Sequence, residues 1–213
     1  MSDSEFIESL IEEHISWRIS ELALIKKIFI KLDTKNEKKF FLQTTIPIIY
    51  AIWEGFVKNS FKSLLIFLND KNISVSNINK GLLVLSLDDK IKSLIDSKDF
   101  NKKIKHSQKL VEHLQSEINF NKIKIDTKSN LNKIVLLELY TKIGLDKNIL
   151  NQEDLDILEK LIRDRNIISH GDKNGIVIQN IDEVEKYISL IQTLMNSIII
   201  SIDNFLKKKD YLL

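Results

Sequence analysis

The stretch IPIIYAIWEGFVKNSFKSLLIFLN, residues 46–69, decides how the rest of the chain is read. Apolar side chains recur on most sides of a 3.6-residue repeat, a pattern that suits a helix surrounded by other helices. It predicts a central helix over about Phe41–Leu68. Pro47 either sits in the first turn, where a missing N–H costs little, or kinks the helix. Glu54 is an acid in very apolar surroundings and asks for a counter-charge. Gly55 weakens a helix interior, so its expected use is to let another helix approach closely. Tyr50, Trp53 and Phe56 read as core.

The flanking sequence supplies the other helices. Ser2 and Glu5 have capping-box spacing at the start of a first helix, read over Ser4–Leu32. The run DTKNEKK, residues 33–39, reads as a solvated loop. One or two lysine-rich helices are expected over Gly81–Ile118, and NKIKID (121–126) alternates like a short extended piece. SNLNKIVLLELYTKIGLD (129–146) reads as a helix with Ser129 or Asn130 as N-cap and Gly144 as its stop. NQEDLDILEKLIRDRNIISHG (151–171) follows, ended by Gly171 in the left-handed conformation. GIVIQN (175–180) connects to a last helix, where Asn180 and Glu183 form a cap-and-N3 pair and Val184, Tyr187, Ile191, Leu194, Ile198 and Phe205 lie on one stripe. With one proline and five glycines there is little material for a turn-rich β fold. The expectation is one all-α helical domain spanning 1–213, since 213 residues suit a single domain.

Composition narrows the chemistry. The chain has no cysteine, which excludes disulfides, thiolate metal sites and a cysteine nucleophile. The acidic start MSDSEFIESLIEEH is unlike a signal peptide, and no unbroken apolar run reaches the roughly 20 residues of a membrane span. A cytoplasmic location is expected. A net charge of +2 permits nucleic-acid binding without arguing for it. His106 and His113, seven apart on a lysine-rich helix, match no metal motif and read as a solvated face. The basic clusters at Lys102, Lys103 and Lys105, and at Lys207, Lys208 and Lys209, could track an RNA backbone or merely solubilise.

Residues 165–171, RNIISHG, hold the candidate site. At about 100° per residue, Arg165 stacks with Leu158, Leu161 and Ile162, while Arg163, Asn166 and His170 share a neighbouring face. A buried guanidinium needs a carboxylate or a bound anion. One reading is a structural salt bridge, with His170 suiting the negative pole at a helix C-terminus. The other is an anion-handling cleft.

Resemblance favours the second. Arg165-Asn166-x-x-x-His170 resembles the RxxxxH motif of the HEPN superfamily (higher eukaryotes and prokaryotes nucleotide-binding domains), and RNIISHG is similar to its RN-x-[IV]-[AS]-HG form. YAIWEGFVK (50–58) resembles the aromatic-Trp-Glu-Gly-Phe signature of the MAE-type HEPN nucleases, which precedes the Arg-His motif by about this distance. Trp17, Arg18 and Glu21, and NFLKKKDYL (204–212), also fit that branch. Ile52 departs from it, because relatives often carry His there.

The resemblance implies an all-α, HEPN-like helical bundle with an elaborated lysine-rich helical middle segment. It further implies a metal-independent endoribonuclease with no cofactor, cutting RNA by 2′-hydroxyl attack to leave 2′,3′-cyclic phosphate and 5′-hydroxyl ends. Arg165, Asn166 and His170 would be the catalytic residues: Arg165 on phosphate oxygens, Asn166 holding phosphate or imidazole, His170 moving protons. Glu54, as partner of Arg165, with Arg163 and Ser169 would support them. One chain brings one such histidine, whereas the reaction uses an acid and a base. A homodimer with a composite site is therefore expected. The implied role is a toxin or antiviral defence effector with an antitoxin or defence-operon partner and no membrane. The alternative is a non-catalytic HEPN adaptor or RNA-binding module. No glycine-rich phosphate loop points to ATP hydrolysis.

Overall fold

The computed structural model describes residues 1–171, 178 and 180–213. These form α1 (Asp3–His14), α2 (Ser16–Ile30), α3 (Lys35–Asn69), α4 (Lys80–Asp96), α5 (Phe100–Leu114), α6 (Lys133–Ile143), α7 (Gln152–Ser169) and α8 (Ile181–Lys208). Among the described residues there is no strand, only the isolated bridges Ser74–Glu117 and Ile78–Leu212.

The central helix is α3, as its all-round apolar sequence requires. Trp53, Phe56, Val57, Phe61, Leu64 and Leu65 are fully buried along it. α1, α2, α7 and α8 all pack against it. It begins at Lys35, earlier than hydrophobic periodicity indicates, because Thr34 and Glu37 form a capping box within the supposed loop. Pro47 lies well inside the helix. Just upstream, the Thr44 and Thr45 hydroxyls donate to the carbonyls of Phe40 and Phe41. These side-chain bonds supplement the ladder next to the position where proline removes a donor.

Both α3 and α8 are long and apolar enough to cross a bilayer by length and composition, which a search for unbroken apolar runs overlooks. Half of each apolar window is buried inside the bundle, and the two helices pack on each other. Packing within the bundle accounts for the apolar character of these buried halves.

The expected first helix is divided. The Ser2–Glu5 capping box is present, but α1 ends at His14 and α2 restarts after Ile15. The Arg18 guanidinium donates to the His14 carbonyl at 2.7 Å, an acceptor that an unbroken helix would offer to the Arg18 backbone N–H. The lysine-rich middle forms two helices, and α5 buries no residue fully. His106 and His113 are half-buried there, so the expected solvated face is corrected. Burial pulls the His113 imidazole below its ordinary pKa. NKIKID pairs with no strand, yet Ile123 and Ile125 pack on the core while Lys122 and Lys124 are exposed. The N-cap of α6 is Asn132, not Ser129 or Asn130. Gly144 ends α6 at φ +93°, Asn151 caps α7 and Asn180 caps α8. Most of the GIVIQN connector lies outside the described residues.

Candidate active site

Glu159, Arg163, Asn166 and His170 follow one another at four-, three- and four-residue steps, so α7 carries them on one narrow stripe. With Ile162 and Ile167 they form one wall of an open groove of about 380 Å³. Asn130 and Asn132, from the segment before α6, form the other. His170 stands at the mouth: it is the C-cap of α7, exposed, with its backbone N–H donating to Asn166. Gly171 follows at φ +67°, where a side chain would be strained although nothing would crowd a Cβ. The sharp stop expected of that glycine is what leaves the imidazole at a helix end. Ser169 is exposed and does not line the groove.

Arg165 turns away from this stripe and is half-buried behind it. Its guanidinium lies 4.0 Å from the centroid of the Tyr50 ring. Nη1 donates to Asn166 Oδ1 at 2.9 Å and Nη2 to the Ser129 carbonyl at 3.1 Å. Among the described residues no carboxylate pairs with it. A π face and two neutral acceptors orient the cation without neutralising it. This arrangement leaves unbalanced positive charge beside the groove, at a helix C-terminus whose own dipole is unfavourable to anions.

The expected Glu54–Arg165 pair does not form. Glu54 Oε1 accepts from Thr127 Oγ1 at 2.5 Å and from Lys58 Nζ at 3.1 Å. The reason is a polar ladder on α3 with four-residue spacing: Tyr50, Glu54, Lys58, Lys62. Tyr50 Oη accepts the Leu131 N–H at 2.8 Å. Lys62 Nζ donates to three carbonyls, of Phe120, Asn121 and Ile123. Together these contacts strap residues 118–131 across α3 and bring Ser129 to Arg165. Glu54 thus supports the site indirectly.

The strap ends in a tight turn in which the Asn130 N–H donates to the Thr127 carbonyl at 3.0 Å. Its two central residues, Lys128 and Ser129, have φ of +52° and +53°. Left-handed backbone costs a non-glycine residue about 1–2 kcal/mol. The surrounding contacts hold the turn there: Thr127 to Glu54, Lys128 Nζ to Glu138, and Ser129 to Arg165.

The most deeply buried charge on α7 is Asp164, 3% exposed, rather than Arg165. Tyr187 of α8 donates to its carboxylate at 2.5 Å. Burial raises the Asp164 carboxyl above the ordinary aspartate value, while the Tyr187 hydrogen bond and the nearby Lys160 and Arg163 oppose the rise. This pair ties α7 to α8 one residue from Arg165. Its sequence signal was the stacking of Asp164 with Leu161, but the partner lies on another helix.

The chain matches the profile of the MAE_28990-like HEPN family over residues 7–211, essentially its whole length. It belongs to that HEPN family. No curated protein and no solved structure gives a match. The HEPN motif residues Arg165, Asn166 and His170 all lie at or directly behind the groove, with Arg163 in its wall. Ile52, where relatives often carry His, is buried on another side of α3, and its carbonyl accepts from Arg18 Nε at 3.3 Å. Ile52 therefore does not line the groove. Sequence reading missed Asn130, Asn132 and Glu159 as groove residues. Glu159 was legible from its four-residue step to Arg163; Asn130 was read only as a candidate cap of α6, and Asn132, the actual cap, was not singled out. Among the described residues no three His, Asp or Glu side chains gather to hold a metal.

Proposed function

We propose that this HEPN protein is a metal-independent endoribonuclease. The observation that carries the reading is the Arg165 cation, paired with no carboxylate among the described residues and held by Tyr50, Ser129 and Asn166 beside a groove with His170 at its mouth. A scissile phosphate would find planar guanidinium donors there and, on Arg163, a second cation. Imidazole can give or take a proton near neutral pH, so His170 either removes the 2′-hydroxyl proton or protonates the departing 5′-oxygen. The attack forms the 2′-O–P bond and breaks the P–5′-O bond, leaving a 2′,3′-cyclic phosphate and a 5′-hydroxyl.

The groove contains one histidine, and the reaction uses two proton-transfer groups. A second protomer, presenting its own His170 across a two-fold axis, supplies the other. The exposure of Ser169 and His170 leaves that approach open. The role as a toxin or antiviral defence effector in the cytoplasm, restrained by an antitoxin or operon partner, rests on the family resemblance alone.

The test is cleavage of RNA by the wild type and by His170→Ala, with EDTA present and the new ends analysed. Cleavage that persists in EDTA, yields cyclic phosphate and drops by roughly 100- to 10,000-fold in the variant supports the reading. Equal activity in folded, dimeric His170→Ala protein overturns the site. RNA binding without turnover by the wild type would instead identify a non-catalytic adaptor.

A further inference from the structure

The turn that delivers Ser129 to Arg165 also delivers Asn130 to the groove, and Asn130 has an unmet need. Its Oδ1 is buried and has no hydrogen-bond partner among the described residues, although the residue lines the groove. Its backbone is fully engaged: the N–H donates to Thr127 and the carbonyl accepts from Asn132 at 2.7 Å. Asn132 spends its own side-chain oxygen capping α6 through the Val135 N–H. A capping bond like that of Asn132 therefore does not explain Asn130. Buried amide oxygens are ordinarily paired, and a lone one marks a place where a ligand or water supplies the donor. The strained pair Lys128–Ser129 immediately before it is the kind of backbone that persists where surrounding contacts enforce it, often at functional sites.

We infer that Asn130 is a specificity-determining residue that contacts a base of the bound RNA; this rests on the ribonuclease reading above. A phosphate offers only acceptors and cannot satisfy an orphan oxygen, and the cations for it are Arg163 and Arg165. Asn166 is already committed to Arg165. A base edge, by contrast, places a donor beside an acceptor, which a side-chain amide matches with Oδ1 and Nδ2 together. Oδ1 is buried as the side chain stands, so base contact requires the amide to turn until Oδ1 faces the groove; the groove then favours a base whose edge sets a donor against Oδ1 and an acceptor against Nδ2. Asn130 stands on the opposite wall from Arg163 and Asn166. The base would lie against the strap while the phosphate lies against α7.

The experiment compares wild type, Asn130→Ala and Asn130→Asp on a randomised single-stranded RNA, reading the base composition next to each cut. In parallel, anisotropy measures binding of His170→Ala protein, with and without the Asn130 changes, to labelled homopolymers. Asn130→Ala should flatten the wild-type preference by about tenfold, the scale of one bidentate base contact. Asn130→Asp, which carries acceptors only, should shift preference toward guanine, whose N1–H and N2–H are adjacent donors. A uniform loss of rate at all bases, or no change in the ratios, overturns the inference and leaves the ribonuclease reading standing; a uniform loss would point to the ribose or to the turn itself. If the wild type neither cleaves nor binds RNA, both fall.

Discussion

Arg18 and Arg165 meet the same short run of α3, between Tyr50 and Phe56, from different sides. Neither has a carboxylate partner among the described residues. Arg18 is 2% exposed and sits inside the bundle. Its Nε and Nη1 donate to the carbonyls of Ile52 and His14, Trp17 lies 4.2 Å from it, and Gly55 leaves room for Nη2. Burial pulls its pKa below the ordinary arginine value, with the Glu21 carboxylate opposing. Arg165 is held by similar means, carbonyl, amide and ring, but beside an open groove. The lesson is that an arginine without a counter-ion is not by itself a site. Arg18 fastens α2 to α3, whereas Arg165 is accessible to something that arrives from outside.

That contrast can be broken experimentally, beginning with Arg165. Replacing it with alanine should lower RNA cleavage roughly 100- to 1,000-fold, the usual cost of removing one preorganised electrostatic donor. The melting temperature should move less than for Arg18→Ala, because Arg165 is only half-buried and the turn it helps hold keeps its Thr127–Glu54 and Lys128–Glu138 contacts. A collapse in thermal stability with specific activity intact would show that Arg165 is structural, like Arg18.

Arg18→Ala should do the reverse. It strands the His14 carbonyl at the break between α1 and α2, removes the second bond to the Ile52 carbonyl and opens a cavity beside Gly55. The expected loss is on the order of 2–4 kcal/mol of stability. Denaturant unfolding measures it, and cleavage per folded molecule should remain near the wild type. If stability holds while cleavage falls, the two arginines have been assigned the wrong way round.

The distinction between them was only half legible in the sequence. The bundle, the central helix, the Ser2–Glu5 and Asn180 caps and the Gly144 and Gly171 stops followed from periodicity and cap chemistry, which act over a few residues. The stripe of Arg163, Asn166 and His170 followed from helical spacing. The partners of Arg165 did not, because Tyr50 and Ser129 are far away in the chain and meet it only once the strap crosses α3. Glu54 was the natural candidate on charge alone, yet the polar ladder on α3 had already given it to Thr127 and Lys58. Arg18 was visible only as part of a family pattern, since nothing local shows that its carbonyl acceptors come from a helix break. Asp164 was overlooked for the same reason: its hydroxyl partner belongs to α8.

Asp164 offers the finest test, because it asks whether α7 is positioned by a group beside the motif rather than by the motif. Burial raises its carboxyl in the folded protein above the ordinary value of 3.8. A carboxyl raised on folding contributes stability that is present below its unfolded pKa and lost as pH rises through the folded value. Glu5, Glu37 and Glu138 are shifted downward by their hydrogen bonds and act in the opposite sense. The informative quantity is therefore the difference between the wild type and Asp164→Asn. From about pH 3.8 upward, wild-type stability should fall relative to the variant, at no more than about 1.4 kcal/mol per pH unit for a single proton. Parallel stability curves across that range would mean that burial does not perturb Asp164. If the curves diverge as expected while cleavage at neutral pH is preserved in Asp164→Asn, the Tyr187 contact anchors α7 without taking part in the chemistry. If cleavage falls with stability intact, this buried contact is setting where Arg165 and His170 stand.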